Sequence, residues 1–257
     1  MVDRRLRRAT FDRKAELYER ARPTYPDALF DDLVEIAGLR PGGRIVEIGP
    51  GTGKATLPLA ERGMRVTGVE LGASLAAVAE RKFARCTAVE IVNADFETWK
   101  PARAEFDAVV AFTAFHWIPP ELRYVLSAPL LRNGGALAVT MIHHVLPEDA
   151  DPFFLASQAD YEAVGEGGGP PGPPDAVEGF GEEMAASGLF RVIGERRYLW
   201  DVPYTADGVI DVLSTYSPNI LMEASKRTRL FDLLRARIGD ATVRKTYLAT
   251  LDVAVRI

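Results

Sequence analysis

The sequence predicts an α/β fold built on a doubly wound, mostly parallel sheet. Short apolar segments alternate with helical segments between residues 44 and 142, which is the pattern of βαβ units with right-handed crossovers. The fourth apolar segment, residues 106–112, is almost continuously apolar, as expected for a strand that is covered on both faces. A glycine-rich turn follows the first strand and leads into a helix.

Seven strands are predicted along the chain, and they span residues 44–48, 66–70, 88–92, 106–112, 136–142, 191–202 and 243–257. The predicted helices span residues 10–22, 28–37, 55–62, 74–85, 120–131, 151–164 and 175–187, with two more between 204 and 239 that a break at 217–218 separates.

Three local features refine these boundaries. Asp27 is predicted to be the N-cap of the helix that follows it, because aspartate is favoured at that position. Asn133-Gly134-Gly135 provides a turn before the fifth strand. Residues 165–174, with the sequence GEGGGPPGPP, cannot form regular structure, which predicts a loop or hinge there.

Composition limits the classes of partner. The net charge of −5 argues against nucleic acid as the principal partner, because phosphate binding requires a basic surface. Arg4, Arg5, Arg7 and Arg8 form a short basic run that we interpret as a solvated terminus. The single cysteine cannot form an intramolecular disulfide, and no apolar run is long enough to span a bilayer. We therefore expect a cytoplasmic protein without a membrane partner, as a monomer or homodimer.

The turn after the first strand carries the pattern Glu47-x-Gly49-x-Gly51-x-Gly53. A strand, a glycine turn and a helix N-terminus together form a concave site where backbone N–H groups point outward and no Cβ blocks a ligand. Dinucleotide sites space their glycines G-x-G-x-x-G, which would place the third glycine at the position of Lys54. The spacing therefore favours a different nucleoside cofactor.

Further side chains follow the strands at the edge where such a cofactor would lie. Glu70 ends the second strand, at the spacing where an acid accepts the ribose hydroxyls. Asp95 and Phe96 follow the third strand, where they could contact an adenine amino group and ring. Phe115-His116-Trp117 follows the fourth strand and could form a pocket floor. The alternatives are a solvated glutamate at Glu70 and ordinary core packing for the aromatic residues.

Several motifs occur in the order that the methyltransferase type 11 family shows, and the chain resembles that family. They are Ala21-Arg22-Pro23-Thr24-Tyr25-Pro26, the EIGPGTG turn at residues 47–53, Phe106-Asp107, Ala114-Phe115-His116-Trp117 and Leu131-Arg132-Asn133-Gly134-Gly135. The resemblance is to the branch with R-P-x-Y-P and F-H-W motifs, which includes proteins similar to trans-aconitate methyltransferases. It covers residues 11–142 well and the remainder loosely, and it does not specify a substrate.

The resemblance implies a Rossmann-like, doubly wound, seven-stranded and mostly parallel sheet with an antiparallel final strand and a helical lid formed by insertions. It implies S-adenosyl-L-methionine (SAM) as cofactor and S-adenosyl-L-homocysteine (SAH) as product. The glycine turn would hold the methionine portion, Glu70 the ribose, Asp95 with Phe96 the adenine, and Tyr18 with Arg22 the carboxylate end. The full set of expected cofactor contacts is Tyr18, Arg22, Glu47, Gly49, Pro50, Gly51, Gly53, Glu70, Leu71, Asp95, Phe96, Phe112, Thr113 and Trp117.

The same resemblance divides the chain into functional segments. Residues 1–40 would be a helical segment that covers the cofactor, and residues 41–142 the cofactor-binding core. Residues 143–190 would be helices with the Gly/Pro-rich loop and form part of a lid. Residues 191–202 and 243–257 would close the sheet, and residues 203–242 would be a helical lid insertion. The candidates for the lid's inner face are Tyr216, Trp200, Met222 and Phe153, with core packing as the alternative for each.

The predicted reaction is methyl transfer to a small-molecule acceptor, at a carboxylate or hydroxyl oxygen, by in-line displacement. Such a reaction needs alignment and exclusion of water more than covalent help from the protein. His116, His143 and His144 are the candidate bases, with structural roles as the alternative for each. No metal site is expected, because no pair of histidines or cysteines has ligand spacing.

Three other functions are weighed against this reading. A non-catalytic SAM-binding or regulatory protein would retain the same glycine turn. An NAD(P)-dependent oxidoreductase would need the glycine spacing that Lys54 interrupts. A nucleic-acid methyltransferase is disfavoured by the acidic charge and by the absence of an N-P-P-Y-like motif.

Overall fold

A single mixed sheet organises residues 15–257, the part of the chain that the computed structural model describes. Its strands are β1 (Arg44–Ile48), β2 (Arg65–Glu70), β3 (Val89–Asn93), β4 (Phe106–Phe112), β5 (Leu131–His144), β6 (Phe190–Thr205) and β7 (Thr242–Arg256). Their order is β3-β2-β1-β4-β5-β7-β6. Strands β1 to β5 pair in parallel, whereas β7 lies antiparallel to both β5 and β6. The predicted fold class is confirmed, including the antiparallel final strand.

The helices connect the strands and cover both faces of the sheet. They are α1 (Ala15–Ala21), α2 (Asp27–Ile36), α3 (Thr56–Glu61), α4 (Ala73–Phe83), α5 (Pro120–Ser127), α6 (Phe153–Ala156), α7 (Gln158–Ala163), α8 (Gly181–Ala186), α9 (Ala206–Leu213), α10 (Ser217–Leu221) and α11 (Ala224–Ile238). Short 3₁₀ turns span Phe115–Trp117, Ala128–Leu130 and Pro174–Ala176.

Alternate residues of the central strands enter two separate hydrophobic cores, because successive side chains of a strand point to opposite faces. Val109 and Ala111 of β4 pack into one core with side chains of α5 and α8. Ala108 and Val110 pack into the other core with side chains of α2 and α3. This double cover explains why β4 reads as a nearly continuous apolar run.

A third core lies apart from the sheet faces. It joins the segments between β5 and β6 to those between β6 and β7, and its buried members include Phe153, Phe154, Val209, Leu213, Leu230 and Leu234. Asp160 of α7 accepts two hydrogen bonds from Arg237 of α11, at 2.6 and 2.8 Å. The two segments predicted to form a lid therefore pack on each other. Their role as a lid, like the division of the chain into functional segments, stays a prediction.

The fifth strand begins earlier than the sequence suggested. The predicted helix 120–131 ends at Ser127, and β5 starts at Leu131, so residues 133–135 lie inside the strand and are not a turn before it. The reason is a bulge: β5 carries extra residues opposite Asp107, and Gly134 adopts φ +69°. A glycine-rich sequence can end a helix or widen a strand, and the spacing alone does not distinguish the two.

Prolines and local caps shift other helix boundaries. Asp27 is the first residue of α2 and not its N-cap, which is Pro26 without a side-chain hydrogen bond. The predicted helix 151–164 is divided into α6 and α7 at Ser157. The predicted helix 175–187 is reduced to α8, after a 3₁₀ turn that contains Pro174. Pro218 lies in the first turn of α10, where its missing N–H costs nothing, so it begins a helix and does not merely interrupt one.

Two predictions fall on residues outside the described range. These are the first residues of the helix predicted at 10–22 and the basic run of arginines at positions 4 to 8. From residue 15 onward, no described helix combines the length and apolar character needed to cross a bilayer.

Arg123 generates a testable prediction about stability. It is 7% exposed and donates two hydrogen bonds to the Glu183 carboxylate and one to each of two carbonyls, those of Ile118 and His116. Arg123→Met leaves the buried Ile118 carbonyl without this donor, so we expect a loss of about 2–3 kcal/mol in the free energy of unfolding.

Arg235→Met is the matched control, because Arg235 pairs with Asp207 on an exposed surface. We expect its loss to stay below about 1 kcal/mol. Both are measured by chemical denaturation, and equal losses would show that the buried contacts of Arg123 contribute no more than an exposed pair.

Candidate active site

Three glycines shape the turn between β1 and α3. Gly49, Gly51 and Gly53 have φ values of +63°, +59° and +81°, a backbone region that disfavours other residues. A Cβ on Gly49 would lie 2.8 Å from the Cβ of Ala114, and one on Gly53 would collide with the ring of Phe83. The turn thus brings backbone atoms close to their neighbours, as a ligand cradle requires.

Glu70 ties this turn to the end of β2. Its carboxylate accepts hydrogen bonds from the N–H of Gly51 and from that of Gly72, both at 2.8 Å, and the residue is 7% exposed. An ionised carboxylate offers about four acceptor positions, so it can accept from more than one backbone N–H group at once. The structure therefore places Glu70 where the sequence predicted.

A first cavity of about 270 Å³ lies beyond the carboxyl ends of β1, β2 and β4. This is the edge at which open α/β sheets bind ligands. Its lining includes ten of the predicted cofactor contacts: Tyr18, Arg22, Gly49, Gly51, Glu70, Leu71, Phe96, Phe112, Thr113 and Trp117. His116 lines it as well, together with Tyr216, which the sequence suggested only for the inner face of a lid, and with residues that were not expected as cofactor contacts, among them Ala94 and Ile118.

Of the aromatic residues after β4, some line the first cavity and one is buried in a hydrophobic core. His116 and Trp117 line the first cavity, with their ring centroids 4.6 Å apart. Phe115 is fully buried and packs against Tyr124 and Phe180, so for this residue the alternative of core packing is correct. Arg123 fixes the segment through the carbonyl of His116.

Thr113 occupies a strained position at the end of β4. Its φ of +55° is unusual for a β-branched residue. Its hydroxyl is hydrogen-bonded with Tyr25 Oη at 3.1 Å and accepts from the N–H of Ile142 at 3.3 Å. Such strain persists where surrounding contacts hold it, and it concentrates at functional sites. Tyr25 of the R-P-x-Y-P motif is thus a positioning residue that the sequence did not assign.

A second cavity of about 320 Å³ adjoins the first, and both are lined by Tyr18, Arg22, Gly49, Phe112, Thr113 and Tyr216. The second cavity also contains the predicted contacts Glu47 and Pro50, and both His143 and His144. Strand alternation predicted one histidine of the pair in the pocket. Both line it, because β5 ends at His144 and its terminal residues border the same cavity.

The two histidines are poor proton carriers in this environment. The Nε2 atom of each is buried with no hydrogen-bond partner among the described residues. Burial, reinforced by the Lys245 ammonium, lowers the pKa of His144 to about 3. Burial, with a contribution from Arg197, lowers the pKa of His143 as well. Both are therefore neutral at physiological pH, and their catalytic role stays a prediction.

A third cavity of about 290 Å³ lies within the helical layer above β5 and β7. It shares His144 and Tyr216 with the second cavity, and Tyr216 and Pro218 with the first. Its other walls are largely aromatic and aliphatic, with Lys245 as a buried cation: Phe153, Phe154, Tyr161, Tyr204, Val209, Val212, Leu213 and Leu234 line it. Of the four predicted lid residues, Tyr216 and Phe153 line cavities, whereas Trp200 and Met222 pack against hydrophobic cores.

Two predicted contacts do not line the first or second cavity. Gly53 packs its backbone against Phe83. Asp95 accepts a hydrogen bond from the N–H of Glu97 at 3.1 Å and shapes the turn after β3, while its neighbours Ala94 and Phe96 line the first cavity. Its proposed contact with adenine stays a prediction.

Lys54 and Lys245 are cavity residues that the sequence did not identify. The Lys54 ammonium donates to the carbonyl of Glu19 at 2.6 Å and lines the second cavity. Its position directly after the glycine turn was a usable signal. Lys245 lies in β7, and the alternation of a strand predicts the face of the sheet on which a side chain lies but not which other segments pack there. The sequence therefore contains no signal for Lys245 as a cavity residue. Between residues 15 and 257, no group of three or more metal-ligating side chains could hold a metal ion.

Helix α1 covers the glycine turn. Glu19 of α1 accepts hydrogen bonds from Thr52 and from Lys82, the latter at 2.9 Å. After the helix, Arg22 donates to the hydroxyl and the carbonyl of Thr215, at 2.7 and 3.0 Å. The N-terminal segment therefore connects the glycine turn to the segment before α10.

Comparisons with known proteins agree with this architecture. A model of the methyltransferase-domain family matches residues 45–135. The chain is 27% identical over 223 residues to an uncharacterised methyltransferase of Mycobacterium tuberculosis, which covers 85% of this chain and 81% of the relative. It is 30% identical over 226 residues to ribosomal RNA small subunit methyltransferase A of Streptomyces coelicolor, which covers 85% of this chain and 71% of the relative.

Solved structures share the fold. A provisionally assigned type II methyltransferase of Anaeromyxobacter dehalogenans superposes with a TM-score of 0.63 at 22% identity, over 90% of this chain and 97% of the other. Phosphoethanolamine N-methyltransferase 2 of Haemonchus contortus, in complex with phosphomonomethylethanolamine and SAH, gives a TM-score of 0.52 at 18% identity, over 95% of this chain and 57% of the other. The chain belongs to the methyltransferase-domain family and is a class I methyltransferase.

Glu47 generates a prediction about pH. It is 1% exposed, and burial raises its pKa to about 7 although Thr56 donates to it at 2.6 Å. Between pH 4.5 and 7 the folded protein holds a proton that the unfolded chain has released, so this group makes stability fall as the pH rises. Glu47→Gln removes the effect. The free energy of unfolding of Glu47→Gln minus that of the wild type should therefore increase by about 2–3 kcal/mol from pH 5 to pH 7.5.

Urea denaturation at several pH values measures this difference. Glu90→Gln, which changes an exposed carboxylate of β3, serves as the control and should follow the wild type. If Glu47→Gln also follows the wild type across the range, Glu47 is not protonated in the folded protein at neutral pH.

Proposed function

We propose that this chain transfers the methyl group of SAM to an oxygen atom of a small-molecule acceptor by in-line displacement. The observation that carries the proposal is the arrangement of the cavities. A cradle of glycines, a buried acid and an aromatic wall form the first cavity, and two further cavities adjoin it at Tyr216. Donor and acceptor can therefore bind side by side.

The first cavity has the chemistry that SAM requires. The glycine turn presents backbone without a Cβ at Gly49, where one would lie 2.8 Å from the Cβ of Ala114, and at Gly51, where one would contact Tyr18, which suits the methionine portion. Glu70 would accept the ribose hydroxyls, and Leu71 and Phe96 would pack on the adenine. Arg22 would bind the carboxylate end. The SAH complex of the Haemonchus contortus structure, which shares the fold, supports the same class of cofactor here.

SAM supplies an electrophilic methyl group on a sulfonium, and the protein supplies alignment and exclusion of water. Helix α1, tied to the glycine turn through Glu19, would cover the cofactor. Arg22, tied to Thr215, would hold the segment that begins α10 against it. These residues would keep the donor and acceptor in one orientation while the methyl group moves.

Charge and enclosure support a small acceptor. The net charge of −5 is opposite to the basic surface that RNA binding needs, although one relative is a ribosomal RNA methyltransferase. The second and third cavities, of about 320 and 290 Å³, have the size of small-molecule sites. We infer a cytoplasmic monomer or homodimer that acts without a nucleic-acid or membrane partner.

Calorimetric titration with SAM and SAH tests the cofactor. The wild type should bind both, and Glu70→Ala should weaken binding about 100-fold, because it removes charged acceptors for ribose hydroxyls. The exposed carboxylate of Glu90 on β3 gives the control variant Glu90→Ala, whose affinity should match the wild type. A folded wild type that binds neither ligand contradicts the proposal, and binding of NADH in place of SAM would favour an oxidoreductase.

The histidines test the separation of donor and acceptor sides. His143 and His144 line the second cavity but not the first, so His143→Ala and His144→Ala should leave SAH affinity within about threefold of the wild type. A much larger loss in either variant would place the cofactor in the second cavity. SAM binding without turnover of any small hydroxyl or carboxyl compound, or of ribosomal RNA, would instead favour a non-catalytic binding protein.

A further inference from the structure

Tyr216 occupies the point where the three cavities meet. It lines the first, the second and the third cavity, and it is the residue that all three have in common. It lies directly before α10 and after Thr215, which Arg22 holds by two hydrogen bonds. A group at this point contacts both the proposed donor cavity and the spaces available to an acceptor.

Two cations approach the Tyr216 ring and hydroxyl. The Lys245 ammonium donates a hydrogen bond to Tyr216 Oη at 3.1 Å and lies 5.0 Å from the ring centroid. The guanidinium carbon of Arg22 lies 4.2 Å from the same centroid. Lys245 is only 5% exposed, so its charge is largely removed from water.

These two cations lack a carboxylate partner within residues 15–257. Arg22 bonds to the hydroxyl and carbonyl of Thr215, and Lys245 bonds to Tyr216. Neither forms an ion pair with a described aspartate or glutamate, and the acid in the third cavity, Glu166, is paired with Lys226 at 3.1 Å. Burying a cation without an anion is costly, so this region favours a negative charge next to Lys245.

Tyr216 can supply that charge. Burial alone raises the pKa of Tyr216, but the Lys245 ammonium, the Arg22 guanidinium and hydrogen bonds from Lys245 and Tyr247 outweigh it and lower the pKa below its ordinary value of 10. The other seven tyrosines of the chain behave oppositely, because burial raises the pKa of each. Tyr216 is therefore distinguished by its neighbours and not by burial.

The groups that face Tyr216 belong to several elements. They are Tyr18 of α1, Arg22 after it, His144 of β5, Tyr161 of α7, Glu166 in the loop that follows, Tyr204 of β6, and Lys245 and Tyr247 of β7. Tyr247 and Tyr204 are hydrogen-bonded to each other at 3.1 Å and have raised pKa values, so they stay neutral. His144, with a pKa of about 3, is a weaker base than a tyrosine phenolate.

We propose that Tyr216 is the general base of methyl transfer, with the Lys245 ammonium and the Arg22 guanidinium placed to stabilise its phenolate form, and that the acceptor is consequently a hydroxyl compound and not a carboxylate. This inference rests on the proposed methyltransferase function. The phenolate oxygen takes the proton of the acceptor O–H, and the acceptor oxygen forms a bond to the methyl carbon. The carbon–sulfur bond breaks, and its electron pair stays on the sulfur of SAH. Tyr216 then returns its proton to solvent.

Ultraviolet absorbance of ionised tyrosine tests the phenolate without an acceptor. In a pH titration of the wild type, one of the eight tyrosines should ionise below the ordinary tyrosine pKa of about 10, ahead of the rest. Tyr216→Phe should abolish this early step, and Lys245→Met should move it to higher pH, because the Lys245 ammonium is the main group that lowers the pKa of Tyr216. Tyr198→Phe is the control, because Tyr198 donates to Asp32 on α2 and has a pKa raised by burial. It should retain the early step.

An early ionisation that persists in Tyr216→Phe, or no early ionisation in the folded wild type, overturns the inference. Thermal melting and SAH titration accompany each variant. Failure of the wild type to bind SAH would contradict the proposed function itself, whereas intact SAH binding without the early step would contradict the role of Tyr216.

Turnover completes the test, with SAH release measured over a panel of phenols, aliphatic alcohols and carboxylic acids. Hydroxyl compounds should be methylated, and Tyr216→Phe should lower kcat about 100-fold or more, with KM and SAH affinity within about threefold. The wild-type rate should fall as the pH decreases, because protonated Tyr216 cannot accept the proton of the acceptor. Tyr216→Phe should not show this decrease. Methylation of carboxylic acids alone, unchanged kcat in Tyr216→Phe, or no turnover of any hydroxyl compound by an SAH-binding wild type would each overturn the inference.

Discussion

The carboxylate of Glu70 is the interaction on which the site depends. It accepts the N–H of Gly51, in the turn after β1, and the N–H of Gly72, in the turn after β2. Both turns leave the sheet at its carboxyl edge, and without an acceptor their N–H groups would be partly buried and unpaired. One side chain thus fixes the distance between two neighbouring strand ends. The cavity beyond them has its shape because these turns are held before any ligand arrives.

The N-terminal segment connects the glycine turn to the helical layer. The carboxylate of Glu19 in α1 accepts a hydrogen bond from Thr52, and the backbone carbonyl of Glu19 accepts one from the Lys54 ammonium. Arg22, less than one helical turn further along, bonds to Thr215 and lies over Tyr216. These contacts hold α1 against the glycine turn and against the segment before α10. Any movement of the helical layer away from the sheet would first have to break the contacts of Arg22.

The match to the methyltransferase-domain family ends before the residues that line the third cavity. It covers residues 45–135, which contain the glycine turn, Glu70 and the aromatic wall. The third cavity is lined by residues from His144 onward, including Tyr216 and Lys245. The matched region therefore contains the glycine turn and acid of the first cavity, where we propose that the donor binds, whereas the third cavity is built from segments outside that region. This is why similarity establishes a methyltransferase and leaves its acceptor to be inferred from the local chemistry of those segments.

The sequence by itself determined the sheet, because hydrophobic periodicity and glycine turns are local signals. It located all seven strands, and the acid at the end of β2 where the structure places Glu70. It missed the bulge in β5 around Gly134, the division of one helix at Ser157 and the shortening of the predicted helix 175–187, since the same residue types serve as turns, caps or bulges. Only the tertiary structure brought Arg22, Tyr216 and Lys245 together. Arg22 and Thr215 are separated by 193 positions, and Lys245 and Tyr216 by 29, so no local pattern records that two cations meet at one phenol. That meeting depends on how α1, the segment before α10 and β7 pack around the end of the sheet.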